Sequence, residues 1–244
     1  MDFSAYSLWI FDCDGVLLDS NRMKQAGFAQ VLRDYPAGVV ADFLAFQKTA
    51  FGLSRFRTID AFFDRFLGRP AGPGEKEALL EAFGAYCRSE YPRQPVTPGA
   101  EALLHTLAAR GAVAYVCSGS AEDELRTVLE DIGLAPHFRA IYGSPRPKAE
   151  LVAHVLEREA GRHAPGQALF LGDAEADYRA AAENGIAFLQ VSGFAADPEG
   201  MARLRAAEGF PVVGRLDEVT WPDGRAATAP ATDPAPANDR SGRN

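Results

Sequence analysis

Carboxylates, a lysine and small polar residues recur in this sequence directly after short apolar runs. Asp12 and Asp14 follow the run 8–11, with Cys13 between them and Gly15 behind. Ser118, Gly119 and Ser120 follow 112–117, Lys148 comes shortly after 140–143, and Gly172 and Asp173 close the run that starts at 168, with Asp177 four residues further on. Asp12, Asp14 and Asp173 held within a few ångströms of one another could not all ionise without a cation. Oxygen-only ligands select a hard ion, and Mg2+ is the default. Such an ion, Lys148 and the backbone N–H groups near Ser118 and Gly119 would together hold a phosphoryl group. An EF-hand does not fit, because D-x-D-G here lacks the third oxygen ligand and the closing glutamate. Singly, each feature has a plainer reading. Residues 12–15 read as a turn, Ser120 and Asp173 as helix caps, and Lys148 as a solvated charge. A lysine opening a helix faces the positive end of its dipole, a position that makes sense beside an anion. Their joint placement, each at a strand end, argues for one site.

For these residues to meet, the apolar runs must be neighbouring strands. The runs 8–11, 112–117, 140–143, 168–172 and 186–191 hardly alternate in polarity, as expected of strands buried on both faces. Helical spacing fills the intervals 98–111, 148–161 and 175–185, and a helix between Ser120 and Gly133 would open on a capping box of Ser120 and Asp123. Strand–helix alternation predicts an α/β fold, a Rossmann-like parallel sheet with helices on both faces, whose ligands bind beyond the carboxyl ends of the strands. Residues 36–95 differ: they are rich in Phe, their apolar positions fit helical spacing, and 75–91 is a good amphipathic helix. The expected organisation is an α/β core from 1–19 and 96–223, an inserted all-α cap over 20–95, and a disordered Ala/Pro/Thr-rich tail at 224–244. Most cap phenylalanines should form the cap's own core. Asp19 is expected to cap the first cap helix rather than bind metal.

The chain has 244 residues and a formal net charge of −8, with no Lys/Arg-rich run, which argues against general nucleic-acid binding. No segment is long and apolar enough to predict a membrane span, and no basic segment near Asp2 suggests a secretory signal. Cys13, Cys87 and Cys117 are odd in number and widely spaced, so neither disulfides nor a thiolate zinc site is expected. A reducing, cytoplasmic setting follows.

In order along the chain, Asp12 to Val16 (D-x-D-G-V), Ser118, Lys148, and Gly172-Asp173 with Asp177 (G-D-x-x-x-D) resemble the four motifs of the haloacid dehalogenase superfamily of phosphohydrolases. The resemblance spans about residues 8–195 and includes a helical cap between the first two motifs. One departure is that Pro147 precedes Lys148 where the family usually has Lys-Pro. The resemblance implies that Asp12 attacks phosphorus and forms an aspartyl-phosphate. It makes Asp14 the general acid and then the base. Asp12, the backbone oxygen of Asp14 and Asp173 would bind Mg2+, while Asp177 would either bind it through water or hold Lys148. Ser118, Gly119 and Lys148 would grip the transferring phosphate.

The resemblance points to a phosphatase acting on a small phosphorylated metabolite such as a sugar phosphate or phosphoglycolate. Residues 52–55, Gly-Leu-Ser-Arg, are similar to a stretch of β-phosphoglucomutase in which the arginine meets the non-transferring phosphate. They make Arg55 a candidate specificity residue, against a plain surface arginine, and leave a phosphosugar mutase as the alternative. A receiver-like or non-catalytic module fits less well, because receivers lack such a cap after the first strand. Strand alternation turns Cys13 away from Asp12 and Asp14, which predicts a buried, inert thiol. Oligomeric state is left open.

Overall fold

The computed structural model describes residues 1–222. The expected disordered tail lies outside the described residues. Strand β1 (Leu8–Phe11) opens the chain's α/β core. Helices α1 (Asn21–Val31), α2 (Ala37–Thr49), α3 (Arg55–Ala61) and α4 (Glu75–Glu90) then form an insert, with a π-helical stretch, Phe62–Leu67, between the last two. The core resumes with α5 (Ala100–Ala109), β2 (Val113–Ala121), α6 (Glu122–Asp131) and β3 (Ala140–Ser144). It continues through α7 (Lys148–Arg158), β4 (Ala168–Gly172), α8 (Glu175–Glu183), β5 (Ala187–Val191), α9 (Pro198–Glu208) and β6 (Val212–Val213). The last helix and strand carry no clear sequence signal.

The sheet order is β3-β2-β1-β4-β5-β6, and every pairing is parallel. This is the α/β fold with an inserted helical cap that the strand–helix alternation predicts. All four β1 side chains are fully buried. Trp9 and Phe11 pack into the apolar cluster on one face, and Leu8 and Ile10 into that on the other. A strand covered on both faces has no reason to alternate, which is why its sequence reads as an unbroken apolar run.

Register sets up the site. Phe11 pairs with Val116 on one side and Leu171 on the other. Asp12 therefore emerges level with Cys117 and Gly172, one residue short of Ser118 and Asp173. The chain leaves β1 for β2 on one flank, while β4 lies on the other, so the sheet's connections diverge at this crevice.

Two details differ from the sequence reading. Strand β2 runs on through Ala121, re-pairing with Ser144 after a register shift beyond Cys117, so Ser120 does not cap α6. That helix begins instead on Glu122, Asp123 and Glu124, whose charges suit its positive end. Asp19 does not cap α1 either: Ser20 holds the N-cap position and its side chain caps nothing. The Asp19 amide donates to the Pro95 carbonyl at 3.0 Å, and Thr97 N donates to Leu17 O at 2.9 Å. These bonds pin together the two strands of chain that enter and leave the cap.

The cap phenylalanines divide. Phe43, Phe62 and Phe63 are buried among themselves, with Phe43 and Phe62 centroids 5.0 Å apart. Phe28 and Phe83 stack at 4.1 Å and are core as well, yet they also wall the cavity described below.

Candidate active site

The carboxyl ends of β1, β2 and β4 and the start of α7 bring together the residues the sequence singles out. Asp12 is 2 % exposed, and its amide donates to Leu171 O at 2.9 Å. Its Oδ2 lies 3.1 Å from Lys148 Nζ, while Oδ1 has no hydrogen-bond partner among the described residues. Lys148, at the first turn of α7, also donates to Asp177 Oδ1. The other Asp177 oxygen accepts from the backbone amides of Asp173 and Ala174, at 3.1 and 3.0 Å. Asp177 thus folds the β4–α8 turn and holds Lys148 against Asp12. Of the two roles left open for it, the second is formed here.

Ser118 is buried, and its Oγ accepts from the Ser120 amide at 3.2 Å. Gly15 turns the chain sharply after Asp14 at φ +76, and a Cβ there would lie 2.3 Å from Asp173 Oδ2. Only glycine lets the first loop pack this closely on the fourth strand's aspartate.

The Asp14 carboxylate faces the cap. Ser20 and Tyr91 hydroxyls donate to Oδ1, and Lys24 Nζ and the Ser120 hydroxyl donate to Oδ2, both at 2.6 Å. Lys24 also donates to Ser120 Oγ. Burial pushes the Asp14 carboxyl up, but the Lys24 ammonium and these donors outweigh it and hold the group below the usual carboxylate range. Asn21 donates to Asp173 Oδ2 at 2.7 Å. Sequence reasoning missed Ser20, Asn21, Lys24 and Tyr91. The available signal was their position: they flank the two points where the cap joins the core, and chain that starts at the end of β1 must begin beside the site.

Arg55 is no surface arginine. It is 7 % exposed and reaches from α3 across to the core, where both its Nη atoms donate to the carboxylate of Glu124, Nη1 at 2.8 Å. Its guanidinium also lies 4.9 Å from the Phe83 ring centroid. Nearby, Gly52 closes on Gly119: a Cβ on Gly119 would sit 2.4 Å from Gly52 O. Between cap and core lies a cavity of about 40 Å3, lined by Asp12, Asp14 and Ser118 at one end and by Gln47, Arg55 and Phe83 at the other. That holds only a few waters. The cap is closed.

Oxygens of Asp12, Asp173 and Asp177 all lie within 4.8 Å of one another. Burial first, then the neighbouring carboxylates, pushes Asp12 up to about 7 despite Lys148, and pushes Asp173 well above the usual range. Three buried carboxylates with one ammonium between them, and an unpartnered Asp12 Oδ1, are a donor set that a hard divalent cation fits. The Asp14 carboxylate is outside this group.

A profile of the haloacid dehalogenase-like hydrolases matches residues 6–185. A tyrosine-protein kinase, PtkA, of Mycobacterium tuberculosis is 29% identical over 73% of this chain and 60% of its own length. The chain thus spans about 60% of the length of that curated relative. A 5'-nucleotidase of Pseudomonas aeruginosa is 33% identical over 43% of this chain and 49% of its own. Among solved structures, a hydrolase from Pseudomonas syringae superposes with a TM-score of 0.71 at 18% identity, covering 86% of this chain and 94% of that one. At that identity the likeness is one of fold.

Proposed function

This chain belongs to the haloacid dehalogenase-like hydrolase family, and from that premise we propose that it hydrolyses the phosphate monoester of a small metabolite, with Asp12 as nucleophile and Mg2+ as cofactor. The observation that carries the reading is Asp12 itself. It is a buried carboxylate at the end of the central strand, open to the cavity, with Lys148 on one oxygen and no hydrogen-bond partner among the described residues on the other. The names of the two curated relatives, a kinase and a nucleotidase, share phosphoryl chemistry.

In the first half-reaction an Asp12 oxygen bonds to phosphorus and the ester P–O bond breaks, giving an aspartyl-phosphate and an alkoxide that takes a proton from Asp14. In the second, Asp14 removes a proton from water, the water oxygen bonds to phosphorus, and the Asp12–phosphorus link breaks. The closed arrangement holds Asp14 ionised, the form the second step needs. The first step uses the protonated form of Asp14, which gives that proton to the leaving oxygen. Ser118, the Gly119 amide and Lys148 hold the phosphoryl oxygens. Asp12, the Asp14 backbone oxygen and Asp173 would hold Mg2+, with Asp177 in support through Lys148. When bound, the ion neutralises the carboxylate cluster and the charge of the transferring group.

Core residues 1–19 and 96–223 carry the chemistry in this proposal, and cap residues 20–95 part from them to admit substrate. The similarity of residues 52–55 to β-phosphoglucomutase keeps a phosphosugar mutase as the alternative. Hydrolysis is favoured over isomerisation because Arg55 is engaged by Glu124 rather than presented to a second phosphate. The three free, buried cysteines support a reducing, cytoplasmic setting. Among the described residues no helix is long and apolar enough to cross a membrane. The test is a phosphate-ester panel with Mg2+. Activity should appear and should fall at least about 100-fold in Asp12→Asn. A variant as active as wild type overturns the proposal.

A further inference from the structure

Gln47 is the polar residue at the cap end of the cavity that the mechanism leaves unused. It projects from α2, is 4 % exposed, and lines the cavity beside Phe28 and Phe83. Its side-chain amide makes no hydrogen bond among the described residues, and Oε1 is sealed from solvent. A buried amide without a partner is costly, and native proteins keep one where something else satisfies it. The amide can present either its oxygen or its nitrogen, so it can accept from or donate to a hydroxyl.

The other polar groups at this end are already engaged. Thr58 Oγ1 donates to Ser54 O at 3.0 Å. Both Arg55 Nη atoms go to Glu124, and Arg88 Nη1 approaches the same carboxylate at 3.8 Å. Lys24 is held by Asp14 and Ser120. A second anionic group on the substrate would therefore meet aromatic walls and a neutralised arginine. A hydroxyl would meet the unpartnered amide of Gln47.

We propose that Gln47 is a specificity-determining residue that hydrogen-bonds a hydroxyl of the leaving group, and that the substrate is the monophosphate of a small uncharged polyol or sugar. This rests on the phosphatase reading above and narrows it. A site with a buried polar group discriminates strongly against an analogue that leaves that group unpaired, whereas apolar walls alone discriminate weakly.

The experiment compares wild type, Gln47→Leu and Gln47→Met, each with Mg2+. The substrates are glycerol and hexose monophosphates, an unhydroxylated alkyl phosphate of matched length, and 3-phosphoglycerate. For the best hydroxylated ester, kcat/KM should fall by about 10-fold or more in both variants, while the alkyl phosphate changes by less than about twofold. Wild type should turn over 3-phosphoglycerate poorly. Thermal stability should be kept, because no hydrogen bond within the protein is removed. Asp12-dependent hydrolysis in which both variants keep the wild-type preference, or lose both ester types equally, overturns the assignment of Gln47 and leaves the phosphatase reading standing. A wild-type preference for 3-phosphoglycerate overturns the uncharged substrate class. Absence of any Asp12-dependent hydrolysis overturns the phosphatase reading, and this inference with it.

Discussion

Closure of the cap on the core can be tested with a single methyl group. At Gly119 an added Cβ would lie 2.4 Å from the carbonyl oxygen of Gly52 and 3.0 Å from its carbon. Ordinary contacts of this kind begin at 3.4 Å, so Gly119→Ala requires the two backbones to separate by about 1 Å, the difference of 3.4 and 2.4. Neither can yield locally, because both contacting groups are main chain. The Gly52 segment would be displaced together with α3 and the Arg55–Glu124 contact that follows it. Misplacement of about 1 Å in a closing element costs on the order of 100-fold in rate. The expected result is a kcat/KM about 100-fold below wild type for a metabolite-sized ester. Inhibition by inorganic phosphate should weaken less than this, since Ser118 and Lys148 keep their positions and only the Gly119 amide among the phosphate-holding groups sits at the altered residue. Steady-state kinetics with phosphate as inhibitor, on protein shown to be folded by circular dichroism, reads both. Wild-type kcat/KM in Gly119→Ala would refute the claim that turnover takes place under the closed cap.

Arg55→Met leaves Glu124 buried with Arg88, at 3.8 Å, as its remaining cation among the described residues, and urea unfolding should show a loss of about 3 kcal/mol, the low end for a broken buried pair. The double variant Arg55→Met with Glu124→Leu should recover most of it, and additive losses would deny the coupling. On the cap surface, two hydrogen bonds from Arg69, with others from Gly72 N and Tyr35, hold Glu75 down to about 2 from an ordinary 4.5. Its folded-state value lies below its unfolded one, so its stabilisation is complete above about pH 4.5 and is lost as pH falls toward 2. Glu75→Gln should therefore be less stable than wild type at neutral pH, with the gap closing through that window in thermal melts. Cys13 is fully buried, and burial raises its thiol well above the ordinary value. Native protein should keep its activity through brief exposure to a small thiol reagent, and Cys13→Val should stay active. Rapid inactivation traced to Cys13 by peptide mapping would show otherwise.

The core side of the site was legible because its residues obey one local rule. Asp12, Ser118 and Asp173 each follow an apolar run, and parallel pairing delivers such positions to one edge of the sheet. Lys148 and Asp177 belong to the helices that start there. Ser120 reads as a cap because its hydroxyl stands three residues before an acid, a pattern that carries no information on how far β2 extends. The cap side was largely illegible. Lys24 and Gln47 lie on cap helices and Tyr91 on the short 3-10 turn that follows α4, and helical periodicity says which face is buried but not against what. Their meeting with Asp14 or the cavity depends on how the cap docks, which is fixed by non-local contacts such as Arg55 with Glu124 and Gly52 with Gly119. Arg55 shows the same limit: a motif placed it near the cavity, and only the fold revealed that Glu124 holds it.

The central claim is that Asp12 carries the phosphoryl group between two half-reactions. Rapid acid quenching during turnover of a good ester with Mg2+, followed by peptide mass spectrometry, measures this directly. The account predicts phosphate on the peptide containing Asp12, absent from Asp12→Asn and lost when turnover is allowed to finish. Phosphate on another side chain, or full turnover by Asp12→Asn, would contradict it.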